Sequence, residues 1–285
     1  MRILITGAKG QLGTALTEVL TGDSLELIDL PQLDLTSFSD TVDRVKKFQP
    51  ELVIHCAAKT DVDDCELKPD EAYRQNVAAT RNVVNACQQI QAEMVYISTD
   101  YVFDGQSDAP YREYAECNPL NFYGKTKWMG EEIVKAHLHR FYIIRTAWLF
   151  GDTGKNFVRT IINRMQAPGP LRVVDDQRGS PTYAADLVRA IERLIRTRAY
   201  GIYHITNESS CTWFEFTQLI AAAMGQNQIP IEPITTRDLN RPALRPRYSV
   251  LGKSLLSELG IALPPYQDAL MRFIKRNFAA NDSGR

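Results

Sequence analysis

The chain has 285 residues, 44% hydrophobic and 24% charged, the balance of a globular protein long enough for one large α/β unit or two smaller lobes. A formal net charge of −1 leaves no global basic field of the kind that drives nucleic-acid binding, so no nucleic-acid partner is expected. Five scattered cysteines without a C-x-x-C pair, and four histidines without H-E-x-x-H spacing, argue against a disulfide framework or a thiolate metal site.

In chain order, short apolar runs at 2–6, 25–30, 52–58, 94–99 and 142–150 have the continuous hydrophobicity of buried parallel strands. Amphipathic stretches at 12–20, 37–48, about 70–90 and 124–138 alternate with them. Such alternation implies βαβ crossovers and an α/β fold, a Rossmann-type doubly wound parallel sheet over residues 1–150. From 151 to 285 the pattern loosens and prolines cluster, which predicts a smaller, loop-rich α/β lobe. Its strand candidates are "LRVVDD", "GIYHIT" and "IPIEPIT", and its helix candidates are 156–166, 184–197, 213–224 and 265–278. Segments near 171–205 are expected to complete the first domain, and the tail "NDSGR" to be disordered. No run approaches the roughly 20 apolar residues that span a bilayer, and the first, "ILI", is too short for a secretory signal. A cytoplasmic protein with no membrane partner is expected.

The first strand runs into "TGAKGQLG", which places Gly7, Gly10 and Gly13 as G-x-x-G-x-x-G at the opening of a helix. Glycine there permits the tight turn, lets backbone N–H groups approach a pyrophosphate, and lets helix and strand pack closely. Asp29 follows Gly13 by 16 residues, where a carboxylate accepts both hydroxyls of an adenosine ribose and repels a 2′-phosphate. The expected cofactor is therefore NADH or NADPH, with NADH favoured. Asp34 and Leu35 are placed to cover the adenine, or Asp34 opens the next turn, with Thr36 or Ser37 as N-cap. Ala57 and Ala58 leave room for a ligand at the end of the third strand.

The fourth strand ends in "STDYVF" and presents Ser98, Thr99 and Asp100 to the same crevice. Tyr123 and Lys127, four apart in "YGKTK", share one helix face. A phenol with an ordinary pKa near 10 serves as an acid when a cation lies in reach, and a threonine hydroxyl holds a substrate oxygen in line. Thr99, Tyr123 and Lys127 are thus the candidate catalytic groups for a carbonyl reduction.

The glycine triplet, "STDYVF", "YGKTK", "RTAWLFG" and "DQRGSPT" together resemble the extended short-chain dehydrogenase/reductases, above all the group that reduces dTDP-4-dehydrorhamnose, across the whole chain. The resemblance implies the Thr99, Tyr123, Lys127 triad, with Tyr123 as proton donor to the C4 ketone of a nucleotide sugar. It implies cofactor contacts from Gln11, Leu12, Lys59, Thr60 and Asn76 in addition to those above. Thr99, Asp100, Tyr101 and Trp148 would touch the sugar nucleotide, and Arg245 in "RPRYS" its diphosphate. Core packing for Trp148 and a surface charge for Arg245 are the plainer alternatives. Lys59 stands where relatives often carry His or Tyr. Ala15 replaces the carboxylate with which some relatives bridge a dimer through metal, so no metal site is expected, and a monomer or homodimer is.

Two rival readings share this pattern. One is a reductase, epimerase or dehydratase of another nucleotide sugar; Tyr101, where a dehydratase would carry glutamate, weakens the last. The other is a non-catalytic NAD(P)-binding regulatory subunit of the same fold.

Overall fold

The computed structural model describes residues 1–278; the tail "NDSGR" lies outside the described residues. The first part of the chain runs β1 (Arg2–Thr6), α1 (Gln11–Val19), β2 (Ser24–Ile28), α2 (Phe38–Phe48), β3 (Leu52–His55) and α3 (Val62–Leu67). Next come α4 (Pro69–Ala72), a π-helical stretch (Tyr73–Ala78), α5 (Ala79–Ile90), β4 (Glu93–Thr99), α6 (Phe122–His137) and β5 (Phe141–Thr146). Then follow β6 (Leu149–Phe150), α7 (Phe157–Arg164), β7 (Leu171–Val174), β8 (Arg178–Gly179), β9 (Thr182–Tyr183), α8 (Ala184–Thr197) and β10 (Gly201–His204). The last elements are β11 (Cys211–Thr212), α9 (Trp213–Ala223), β12 (Ile231–Ile234), α10 (Thr236–Leu239), α11 (Ser254–Glu258) and α12 (Tyr266–Phe278).

Six parallel strands make the main sheet in the order β10-β5-β4-β3-β1-β2, a mixed α/β architecture of Rossmann type. Its strands are apolar without alternation because both faces are covered. On one face Ile3, Ile5 and Ile144 pack against Leu12 and Leu16 of α1 and Leu187 and Ile191 of α8. On the other, Leu4, Val53 and Met94 meet Val42 of α2, Val83 of α5 and Val134 of α6. Each such fully buried aliphatic side chain contributes about 1.5–3 kcal/mol. Because β2 and β3 lie on opposite sides of β1, the order reverses there and opens a crevice at the carboxyl ends of the strands.

The smaller lobe has its own core of Phe150, Tyr183, Phe216, Tyr266 and Phe273, built by α7, α9, α12 and the two-stranded pairs β7–β12, β8–β11 and β6–β9. A capping box of Thr212 and Glu215 starts α9. Within 171–205 the chain divides. β7 stays in the small lobe beside β12, whereas α8 and β10 return to the main sheet.

Three expected elements take a different form. The run 142–150 breaks at Trp148, which adopts φ 47°, and so yields two strands in different sheets. The stretch 70–90 is helical throughout but carries a π turn at Tyr73–Ala78, preceded by the separate α3. Ser37 is the N-cap of α2, but its hydroxyl donates to Asp40 at 2.7 Å instead of capping a backbone N–H. Among the described residues no helix is long and apolar enough to cross a membrane.

At the β1–α1 junction, Gly7 holds φ +67°, and a Cβ on Gly13 would lie 2.3 Å from the Gly7 carbonyl oxygen. Gly13→Ala is therefore expected to lower stability by about 1–3 kcal/mol, read as a lower urea midpoint at unchanged m-value. Gly22→Ala, where an added Cβ meets nothing within 4 Å, is the matched control.

Candidate active site

A cleft of about 900 Å³ lies along the carboxyl ends of the strands. The glycine loop forms its floor. The first α1 hydrogen bond runs from the Thr14 N–H to the Gly10 carbonyl at 2.9 Å, and no side chain caps the helix. The N–H groups of Gln11, Leu12 and Gly13 therefore have no helical acceptor, the polarity an anionic pyrophosphate requires. Gln11 itself is tied down, donating to the Lys155 carbonyl and accepting from Asn156, each at 3.2 Å.

Asp29 sits just beyond β2 and accepts the Lys9 N–H on one carboxylate oxygen and the Leu30 N–H on the other, both at 2.8 Å. Each oxygen keeps a further lone pair for a ribose hydroxyl. Asp34 accepts the Thr36 N–H at 2.9 Å, and with Leu35 it lines the same end of the cleft. Ala57, Ala58 and Thr60 line the wall after β3. The donor set and free helix N-terminus fit a dinucleotide.

Thr99, Tyr123 and Lys127 line the other end together. β4 delivers Thr99 at its last position, and Asn121 caps α6 through the Gly124 N–H at 2.8 Å, which sets Tyr123 and Lys127 one turn apart. A Cβ on Gly124 would fall 2.1 Å from the Tyr101 carbonyl oxygen, so the helix approaches the β4 exit closely. Burial pushes the Tyr123 phenol up, and a hydrogen bond with the Thr99 hydroxyl offsets this in part. Burial brings the Lys127 ammonium down to about 7, against the pull of Glu131. Its Nζ stands 4.1 Å from the centre of the Tyr96 ring.

Asp100 lies beside this group and is 2% exposed. Its Oδ1 accepts the Thr99 hydroxyl at 3.0 Å, while Oδ2 has no partner in hydrogen-bonding geometry. Burial pushes this carboxyl up to about 7, only partly offset by the nearby Ser249 and Thr99 hydroxyls. Tyr101 meets Tyr123 edge to face, with centroids 6.2 Å apart.

Trp148 lines the cleft and stacks on Trp213, with ring centres 3.4 Å apart and planes 6° apart. Nothing in the local sequence marks Trp213 as a cleft residue. The "DQRGSPT" segment explains the pair. Gln177 accepts the Trp213 Nε1–H at 3.2 Å, and Gly179 leaves room for the Trp148 ring. Ser98 lines the cleft as expected, and Lys9, Cys56 and Thr146 are further lining residues not anticipated.

Three expected contacts do not line the cleft. The Lys59 ammonium turns to Asp64 and to Glu71, the latter at 2.9 Å. Asn76 is 1% exposed and fully engaged; it accepts the Lys59 N–H at 2.7 Å and donates to the Lys59 carbonyl and Thr126 at 3.0 and 2.9 Å. It shapes the β3 loop from behind. Arg245 pairs with Asp63 at 2.9 Å, an anion on α3 that occupies its guanidinium. Among the described residues no cluster of three or more His, Cys, Asp or Glu could hold a metal ion.

The chain matches the family described as RmlD substrate binding domain over residues 1–278. It is 36% identical over 283 residues to the spore coat polysaccharide biosynthesis protein SpsK of Bacillus subtilis, covering 99% of both chains. It is 38% identical over 268 residues to a dTDP-4-dehydrorhamnose reductase of Streptomyces griseus, covering 91% of this chain and 88% of that one. The crystal structure of dTDP-4-dehydrorhamnose reductase from Bacillus anthracis in complex with NADP superposes with a TM-score of 0.94 at 40% identity, covering 96% of this chain and 99% of the other.

Adding a Cβ at Gly179 would bring it within 2.5 Å of the Trp148 ring. Gly179→Ala is expected to unstack Trp148 from Trp213 and raise and red-shift the tryptophan emission. An emission spectrum identical to wild type would show that the indoles do not depend on this glycine.

Proposed function

The chain belongs to the RmlD substrate binding domain family, and from that premise we propose that it reduces the C4 ketone of dTDP-4-dehydro-β-L-rhamnose to dTDP-L-rhamnose with NAD(P)H. The observation that supports this best is one cleft that holds a free helix N-terminus at one end and Thr99, Tyr123 and Lys127 at the other. Bound there, the nicotinamide supplies the hydride to the carbonyl carbon. Tyr123 gives its phenolic proton to the carbonyl oxygen, and burial, by keeping the phenol protonated, suits it to that task. Thr99 hydrogen-bonds the same oxygen, and the Lys127 ammonium stabilises the phenolate left behind.

Gly7, Gly10, Gln11, Leu12 and Gly13 hold the pyrophosphate, Asp29 the adenosine ribose, and Asp34 and Leu35 the adenine edge. The carboxylate of Asp29 favours NADH. Asp100, Tyr101 and Trp148 hold the sugar, and Arg245 reaches the diphosphate by exchanging Asp63 for phosphate. The enzyme acts in the cytoplasm, as a monomer or homodimer.

Tyr123→Phe is expected to lower kcat by about 10²- to 10⁴-fold while NADH binding, followed by fluorescence titration, persists. An active Tyr123→Phe enzyme would remove Tyr123 from the mechanism. Binding of NADH by the wild type without turnover of any keto sugar would favour the regulatory-subunit reading instead. The pH profile of kcat/KM is expected to fall on its alkaline side near pH 7, because Lys127 loses its proton as pH rises through its depressed pKa. A profile flat from pH 6 to 9 contradicts a required ammonium.

A further inference from the structure

Glu131 lies one turn beyond Lys127 on α6, the i,i+4 spacing at which a carboxylate and an ammonium pair. Yet Lys127 forms no ion pair among the described residues. The carboxylate is held elsewhere. Arg145 of β5 takes it with both arms, Nε to Oε1 at 2.9 Å and Nη2 to Oε2 at 2.7 Å, and the Ser98 hydroxyl also donates to Oε1. Both partners are buried, at 2% and 0% side-chain exposure.

Arg145 is fixed in turn. Its neighbours in register are Ser98 on β4 and His204 on β10, so the three residues form one row across the sheet under α6. Nη1 donates to the Glu113 carbonyl at 3.1 Å and to His204 Nε2 at 3.3 Å. His204 Nδ1–H donates to the Gly252 carbonyl at 2.9 Å, which leaves Nε2 as the acceptor of a neutral ring. Burial holds that imidazole down at about 3. Charge-assisted bidentate geometry of this kind is roughly twice as strong as neutral hydrogen bonding.

We propose that Arg145 is a positioning residue for the reaction: by binding Glu131 it denies that carboxylate to Lys127 and leaves the ammonium free to face the cleft beside Tyr123. This rests on the carbonyl-reducing reading of the site. The other groups around Lys127 offer no competing anion. They are Tyr123 on its own helix, His55 and Cys56 from the third strand, and Tyr96 from the fourth. Burial keeps the imidazole neutral, with its pKa down at about 3, and the thiol protonated, with its pKa up at about 12. Glu131 is the one carboxylate that pulls on Lys127, and Arg145 neutralises it.

Three variants test this: Arg145→Met, Glu131→Gln, and the double variant. The readouts are kcat and the titration of Lys127, the latter followed by NMR of its ¹⁵N-labelled ammonium, which needs no turnover. Arg145→Met is expected to lower kcat by about tenfold or more and to move the Lys127 midpoint up by about one pH unit, as the freed Glu131 captures the ammonium. Glu131→Gln is expected to move that midpoint down, because an unneutralised guanidinium then faces Lys127. The double variant, lacking both charges, is expected to recover kcat to within about fivefold of wild type and to restore the midpoint. Should Arg145→Met fail to fold, the other two still decide. Unmoved midpoints, or a double variant as slow as Arg145→Met, overturn the proposal. An inactive wild type whose Lys127 midpoints shift as stated would overturn the enzyme reading while showing that Arg145 keeps Glu131 from Lys127.

Discussion

Helix α6 lies so closely against β4 and the turn that follows it that two of its positions have no room for a side chain. A Cβ on Gly124 would stand 2.1 Å from the Tyr101 carbonyl oxygen, and one on Gly130 would stand 2.1 Å from the Tyr96 hydroxyl oxygen. Tyr96 uses that proximity to donate to the Lys127 carbonyl at 3.2 Å. The contact fixes where Lys127 leaves the helix and lays its ammonium over the Tyr96 ring, a cation–π contact in a desolvated place. Thr99 leaves β4 at the same level. Thus a hydroxyl, a phenol and an ammonium from two elements share one wall, because two glycines let those elements touch.

The smaller lobe contributes to that wall through a second close approach. Gly179 admits the Trp148 ring, whose own backbone holds φ 47°, an uncommon conformation for a bulky residue. Stacking on Trp213 and the hydrogen bond from Trp213 to Gln177 over-determine it. The later chain is also tied to α3 by Asp63, which accepts from Arg241, the Ala243 N–H and Arg245 at 3.1, 3.2 and 2.9 Å. That cluster holds the Asp63 carboxyl below its usual range despite partial burial.

Much of this fold was legible in the sequence because parallel strands covered on both faces are unbroken apolar runs, and β1, β3 and β4 are such runs. The break at Trp148 was not, since "YIIRTAWLF" is apolar throughout and only the distant Gly179 and Trp213 explain the turn. Trp213 escaped notice for the same reason: its partner lies 65 residues away, and locally it is only the first residue of a helix. Asn76 was placed at the cleft, but the π turn that carries it was invisible to a 3.6-residue period, and the side chain is used up on the β3 loop. Arg245 shows the limit of reading charge from sequence. Its anion in this structure is Asp63, on a helix of six residues with no pattern to announce it.

What the cleft lacks in internal partners also points to its use. Asp100 Oδ2 and Thr146 Oγ1 are both buried without a hydrogen-bond partner, and both residues line the cleft that holds Thr99, Tyr123 and Lys127. An unsatisfied buried polar group costs about 1–3 kcal/mol, so the two here, alongside Asn82, Tyr142, Arg159 and Thr206 elsewhere, are a standing cost. Sugar hydroxyls are donors and acceptors at once and relieve both. A carboxyl with its pKa raised to about 7 is suited to this, because it donates when protonated and accepts when ionised. The polar debt left beside Thr99 is thus of the kind a hydroxylated ring cancels and an apolar ketone does not, which favours a sugar over a simple carbonyl compound as the occupant.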